Sequence, residues 1–383
     1  MTHPAPSITV SKGLEHVVFG DSAISLVAGE TGGLAYRGYD IGDVVEHATY
    51  EEVVHLLILG TVPDPVAARA FAARLRGRRA LPRALEAVVD HLPTHLPALD
   101  AMRTLLSALG EGEFPYPPTV DQGVELVAKA PTLLARYVRR SHGLRPVAPH
   151  RALGHAANYL YMLDGTPPAP ARARALEQYL ILLADHGMNA STFALRVVLS
   201  TNSDLVSGAT AALGALKGPV HGGAPSRVVD MLDAIGTPEK APPWIDAALA
   251  RGERLYGFGH RAYKVEDPRA VELKRIARAI ASPERMRLAE TVERTALAAL
   301  QREKPGRRLF TNVEFYGAVV LEAVGLPREL FTPTFAIGRT AGWAAHALEQ
   351  AGDNRLIRPD VNYTGPSVGA MWPTGPSPPA GDP

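Results

Sequence analysis

Apolar residues recur with a helical period over most of this chain, which rules out most sheet architectures. Leu176, Tyr179, Leu180 and Leu183 follow the i, i+3, i+4, i+7 spacing of one buried stripe, and Tyr316, Val319, Val320 and Ala323 repeat it. Thr332-Pro333 reads as an N-cap with proline at the first helical position. It opens a predicted helix to about Gln350, with Gly352 as its stop. Strand-like alternation is confined to SITV, HVVF and ISLVAG near the N-terminus and predicts small hairpins at one edge. Strands and helices do not alternate, so a doubly wound sheet is not expected. The expected class is all-α with minor N-terminal β-hairpins. Proline- and glycine-rich breaks fall at 60–65, 112–118, 165–170, 236–243 and 303–306, and the last residues read as a tail or arm.

The 383 residues are enough for a large core and more than one domain. A net charge of +1 offers no excess of Lys and Arg for a phosphate backbone, so no nucleic-acid partner is expected. No apolar run reaches the roughly 20 residues that span a bilayer, so no membrane partner is expected. The opening MTHPAPSITV carries no basic stretch followed by an apolar one, as a secretory signal would. There is no cysteine, which excludes disulfides, thiolate catalysis and Cys-ligated metals and fits a reducing compartment. A cytoplasmic protein is expected.

Two short patterns mislead. Gly365 to Gly369 matches the nucleophile-elbow pattern but sits in the proline-rich tail, without the strand and helix that motif needs. Gly257 to Ala262 loosely matches a dinucleotide fingerprint, but RGERLY before it is not a buried strand. No HExxH and no tight His/Asp cluster implies a metal.

Three histidines stand in unusual settings. The others, His155 and His346 among them, read as core or surface side chains. His221 lies in GPVHGGAP, a glycine-bracketed turn running into a helix near Ala224. A helix N-terminus disfavours imidazolium, and a neutral histidine there can donate a hydrogen bond to a carbonyl that becomes an enolate. His260 follows Gly257 and Gly259 in a second glycine-rich loop. Beyond it, Asp267-Pro268 reads as an N-cap with proline at N1, which places Arg269 in the first helical turn. A cation there opposes the helix dipole, and binding a substrate carboxylate would explain it. His186 interrupts a helical pattern in DHGMN, facing a cleft or capping a helix.

The segments HGMNASTF, GPVHGGAP, GFGHRAYKVEDPR and GRTAGWAAHALEQ, preceded by GETGGLAYRGYDI, resemble the citrate synthase family in order and spacing. The resemblance is weak only over about 66–150. It implies an almost all-helical, two-domain homodimer. Residues 1–221 and 323–383 would form the large domain, and 222–322 a small domain closing over substrate. It implies condensation of acetyl-CoA, a co-substrate, with oxaloacetate and water to give citrate and CoA. No permanently bound cofactor is implied.

The resemblance also implies roles. His221 would stabilise the enol of the thioester, and His260 would polarise the keto group of oxaloacetate. His186, Arg269 and Arg339 would hold the oxaloacetate carboxylates. Arg358 would reach the partner subunit's site. Gly257, Phe258 and Gly259 would receive CoA, with Lys264, Arg307 and Arg308 near its phosphates. One residue departs from the family pattern: NVEF carries Glu314 where the family usually has an aspartate base. Asn312 reads as an N-cap, placing Glu314 in a first helical turn. Glu314 is therefore expected to be the base of an adjusted site. The alternatives are a 2-methylcitrate synthase using propionyl-CoA, and a weakly active paralogue that binds CoA or a dicarboxylate.

Overall fold

The computed structural model describes residues 10–110, 114–222, 225–306 and 308–365. It separates into two units by contact. One comprises the chain ends, 1–21 and 357–383, and the other runs from Ser22 to Leu356. Within the first, the described part holds a short 3-10 turn at Lys12–Leu14.

The second unit opens with a sheet of β1 (Ser25–Ala28), β2 (Gly33–Tyr36) and β3 (Tyr39–Asp40), antiparallel in the order β1-β2-β3, with Ser25 opposite Tyr36. Its helices are then α1 (Ile41–His47), α2 (Tyr50–Leu59), α3 (Pro65–Gly77), α4 (Arg83–His91), α5 (Ala98–Ala108), α6 (Val120–Ser141), α7 (His155–Asp164), α8 (Pro170–Leu183), α9 (Ala190–Ser200) and α10 (Leu205–Leu216). There follow α11 (Pro225–Ile235), α12 (Ala241–Ala250), α13 (Pro268–Ile280), α14 (Pro283–Glu303), α15 (Val313–Ala323) and α16 (Phe331–Gly352). The chain is all-α apart from this small sheet. Among the described residues, no helix is long and apolar enough to cross a membrane.

Side chains set many of these boundaries. Thr49 with Glu52, and Thr119 with Gln122, form capping boxes on α2 and α6. Asp64, Asn189, Asp204, Asp267, Ser282 and Asn312 cap α3, α9, α10, α13, α14 and α15. The stripe Leu176, Tyr179, Leu180 and Leu183 is buried, as are Tyr316, Val319 and Val320. Helix α16 differs in kind. Almost every residue from Phe331 to Ala347 is buried, so it is apolar all round and lies at the centre, packed on α6, α8 and α9.

Two local expectations need correction. The helix expected to open at Thr332 starts at Phe331, and its N-cap position is Leu330, which provides no side-chain cap. The Thr332 hydroxyl instead donates to the Gly222 carbonyl at 2.9 Å, beside the His221 turn. HVVF at 16–19 forms no strand. Val17 and Val18 are both exposed, Val18 to 86%, so the alternation there buries no face. Of SITV, all but Val10 lies outside the described residues, as do the elbow-like residues beyond Gly365.

Glycines bring α8 and α16 into close approach. A Cβ on Gly342 would sit 2.4 Å from the Ala184 carbonyl oxygen and 2.5 Å from an Asp185 carboxylate oxygen. The Gly342 N–H donates to that same Ala184 carbonyl at 3.0 Å. The two glycines of GRTAGW thus seat the end of α8, and with it the His186 loop, directly on α16.

Candidate active site

His186 follows the end of α8 and is buried. The backbone turns at Gly187 (φ +55), and Asp185 holds it there. The Asp185 carboxylate accepts the Gly187 N–H at 2.9 Å and the Ser25 hydroxyl. Its other oxygen lies 3.2 Å from Nε2 of His346. Arg196 donates to Nδ1 of that ring, so the proton sits on Nε2 and faces Asp185. Burial works against the Asp185 charge, but His346, Arg339 and Ser25 more than offset it and bring its pKa down to about 2. His346, expected to be an unremarkable core histidine, is part of this support. The His186 ring lies edge-on to His260, with centroids 5.3 Å apart, and its Nε2 is 3.2 Å from the Tyr263 hydroxyl. Burial, then the nearby guanidinium groups of Arg269 and Arg339, push its pKa well below the ordinary histidine value, so it is neutral.

His221 is reached from a different direction. Its Nε2 accepts the backbone N–H of Ser191 at 3.2 Å, a donor shared with Oδ1 of Asn189. Ser191 sits in the first turn of α9, so a helix N-terminus that meets this imidazole is that of α9. A backbone amide can only donate, so Nε2 is an acceptor and the proton of the neutral ring is on Nδ1. The pKa is brought down to about 4, by burial first and Arg339 second. The expected neutral state holds, but burial and a neighbouring cation carry it.

His260 is fixed by its own loop. Its Nδ1 accepts the N–H groups of Ala262 (2.9 Å) and Tyr263 (3.2 Å), which places the ring proton on Nε2. That Nε2 faces Nη2 of Arg269 at 3.5 Å. Both groups carry protons, so their contact is a shared approach to one point rather than a hydrogen bond. Burial and Arg269 bring the His260 pKa to about 4 against the opposing pull of Asp267.

Arg269 and Arg339 are both buried. The misplacement of Arg269 at a helix start is offset by Asp267. This cap accepts the Arg269 backbone N–H and also takes Nε (3.0 Å) and Nη2 (2.8 Å) bidentately. Burial opposes the Arg269 charge, and Asp267 more than compensates, holding its pKa above the ordinary value. Arg339 donates from Nε to the Leu183 carbonyl at 2.7 Å and stacks over Phe335. Among the described residues, its terminal guanidinium nitrogens make no hydrogen bond and no ion pair within 4 Å, though the Asp185 charge acts on it from further away. Burial brings its pKa to about 10, and it remains charged at neutral pH.

Glu314 stands in the first turn of α15, its N–H accepted by Asn312 Oδ1 at 3.0 Å as expected. A two-residue bridge ties this turn to the His260 loop. The Gly259 N–H donates to Phe310, the Asn312 N–H to Gly257, and the Asn312 side chain to the Gly259 carbonyl. Burial raises the Glu314 pKa to about 7, against the pull of Arg254 and Arg269. Gly257 is required by this junction: it has φ +88, and a Cβ would lie 2.8 Å from that of Phe315. Phe258 packs its ring 5.2 Å from that of Phe315, so its side chain belongs to the core and only its backbone faces the loop.

Of the other candidates, Lys264 and Arg308 are exposed, and Arg307 lies outside the described residues. Arg358 is exposed in the unit formed by the chain ends. Sequence reasoning missed Tyr263, Asp185 with His346, and Ser191. Tyr263 and Asp185 adjoin the motif histidines and were open to view. Ser191 and His346 act through contacts that no local pattern announces. Among the described residues, no group of three His, Cys, Asp or Glu side chains is arranged to hold a metal.

The site therefore combines three neutral histidines, two buried arginines and one carboxylate of raised pKa. The family model "Citrate synthase, C-terminal domain" matches residues 13–360. The chain belongs to the citrate synthase family. Citrate synthase 2 of Bacillus subtilis is 40% identical over 94% of this chain and 97% of its own. The 2-methylcitrate synthase of Mycobacterium tuberculosis is 39% identical, covering 93% and 91%. The fold matches a ternary complex of carboxymethyl coenzyme A and oxaloacetate with citrate synthase from Thermoplasma acidophilum. There the TM-score is 0.87 at 29% identity, covering 96% of this chain and 99% of that one.

Proposed function

We propose that the chain is a citrate synthase, condensing acetyl-CoA with oxaloacetate and water to citrate and CoA. One observation supports the reading most: the turn that carries Glu314, a carboxylate of near-neutral pKa, is hydrogen-bonded to the His260 loop, and His260 and His221 are both neutral rings with assigned protons. The Glu314 carboxylate takes a proton from the thioester methyl group. The Nδ1–H of His221 stabilises the resulting enolate oxygen, because a thioester α-proton is too weakly acidic for a carboxylate alone. The enolate carbon attacks the keto carbon of oxaloacetate, whose oxygen receives the proton on Nε2 of His260. Water then cleaves the thioester of the condensed product and releases CoA. Arg269, Arg339 and His186 hold the two carboxylates of oxaloacetate, and the free guanidinium nitrogens of Arg339 suit that task.

CoA lies along Gly257–Gly259, with Lys264, Arg307 and Arg308 near its phosphates. The exposure of Lys264 and Arg308 supports this placement. The working unit is a homodimer in which Arg358 completes the partner subunit's site. Residues 222–322 form the small domain, and 1–221 with 323–383 the large one. The packing of α12 on α14 and of α13 on α15 supports that division.

Propionyl-CoA, giving 2-methylcitrate, is the second reading. The methylcitrate-forming relatives match as well as the citrate-forming ones, and one methylene is worth only about 1–3 kcal/mol of discrimination. Free thiol released from each acyl-CoA in the presence of oxaloacetate decides between them. The protein has no cysteine and is silent to a thiol reagent. Faster release from acetyl-CoA supports the first reading, and faster release from propionyl-CoA the second. No release from either, with oxaloacetate still bound, favours the weakly active paralogue.

A further inference from the structure

The three-stranded sheet is small, and the chemistry above makes no use of it. Its contacts are unusual. Ser25 of β1 donates to Asp185 and accepts the Gly187 N–H at 3.0 Å, on both sides of His186. The hydroxyl of Tyr36 in β2 accepts the Asp185 N–H at 3.1 Å and lies 3.0 Å from the carbonyls of Ile181 and Asp185. Val27 packs where a side chain on Gly187 would stand, 3.3 Å from such a Cβ.

The tip of the same hairpin rests on the other histidine loop. The Gly29 carbonyl accepts the Lys264 N–H at 2.9 Å. A Cβ on Gly29 would lie 2.2 Å from the Ala262 carbonyl oxygen, and one on Gly32 would lie 2.9 Å from Val265 and 3.1 Å from the Glu266 carbonyl. The Gly33 carbonyl is 3.5 Å from the Tyr263 hydroxyl. Ala262 and Tyr263 are the residues whose N–H groups hold Nδ1 of His260. Gly29 is absent from the positive-φ residues, so the backbone does not need glycine there; close approach does.

We propose that this hairpin is a positioning template that sets the distance and angle between His186 and His260. Gly29 positions the His260 loop, and Ser25 positions the His186 loop. The sheet carries no catalytic residue, yet it touches both histidine loops through rigid backbone and short side chains. The proposal rests on the citrate synthase reading of the site.

Gly29→Ala tests it, because Gly29 has no positive φ and the added Cβ meets first the Ala262 carbonyl and then the Tyr263 nitrogen of the His260 loop. A shift of about 1 Å in a catalytic group costs on the order of 100-fold, so kcat/KM for oxaloacetate falls by about that factor. A rise in the KM for oxaloacetate accompanies the loss. A merely destabilised fold would lower the active fraction and leave that KM unchanged. Gly214→Ala, where nothing lies within 4 Å, behaves as wild type. Wild-type kcat and KM for oxaloacetate in Gly29→Ala would overturn the proposal. If Gly29→Ala does not fold, Ser25→Ala decides. It weakens oxaloacetate binding and Ser25→Thr restores it, whereas wild-type binding in Ser25→Ala overturns the proposal. Absence of CoA release by the wild-type protein would count against the functional reading alone. The template is then read from the 15N shifts of His260. These show one Nε2–H tautomer in wild type and a mixture in Gly29→Ala, and identical spectra refute it.

Discussion

His221 and His260 stand in look-alike sequence settings, GPVHGG and GFGHRA, yet their ring protons are fixed in opposite ways. His260 takes two amides from its own loop on Nδ1 and presents Nε2–H. His221 takes one amide from the start of α9, 30 residues earlier, on Nε2 and presents Nδ1–H. The difference separates local from long-range control. One histidine is oriented by the turn that carries it, the other by a helix that the rest of the fold must deliver. The proposed chemistry asks for a donor at each position, and the fold presents one at each by unrelated means.

The sharpest way to break this comparison uses amide side chains, whose nitrogen overlays Nδ1 in asparagine and Nε2 in glutamine. Losing a positioned proton donor costs about 10²–10⁴-fold. His221→Gln and His260→Asn should lose kcat on that scale, while His221→Asn and His260→Gln retain measurably more. The same preference at both positions would refute the opposite tautomers. Glu314→Asp comes next: it withdraws the carboxylate by about an ångström and should lower kcat by up to about 100-fold, leaving oxaloacetate affinity intact. An unchanged kcat would show that the carboxylate position is not set by side-chain length.

The pH dependence distinguishes the carboxylate from the histidines. The proposed base, Glu314, must be ionised to act, and its pKa is raised to about 7. So kcat/KM should rise about tenfold per pH unit up to about pH 7 and then level off. With His221 and His260 near 4, neither ring contributes a transition between pH 5 and 8. A two-proton slope in that window would contradict the neutral-histidine assignment.

The smallest effect is on stability. Glu314 binds its proton more tightly folded than unfolded, since its ordinary value is 4.5. Its contribution to stability is therefore present at low pH and lost as pH rises through about 7. Glu314→Gln removes that cost, so its Tm should exceed wild type at pH 8 and converge with it at pH 4. The histidines act with the opposite sign. Their folded pKa values lie below 6.5, and stability is lost as pH falls from there toward 4.

Much of this was legible in the sequence because its causes are local. Helical stripes, the caps Asn312 and Asp267, and the glycine-bracketed histidines depend on residues a few positions apart, and all of them recur in the structure. The expected cap at Thr332 failed because the buried Phe331 and the 3-10 turn at Arg328–Leu330 before it start the helix two residues earlier. The HVVF segment failed as a strand because alternation marks a strand only where one face is buried, and Val17 and Val18 are both exposed.

By itself the sequence determined the class of fold, the family and most of the residues of the candidate site, since motif order and helical period are properties of the chain alone. Only the tertiary structure decided which nitrogen of each histidine carries the proton, why Glu314 titrates near neutrality, and that a small N-terminal hairpin braces two loops far away in sequence. Each of those depends on which groups meet across the fold and how much water they exclude, and a linear pattern records neither.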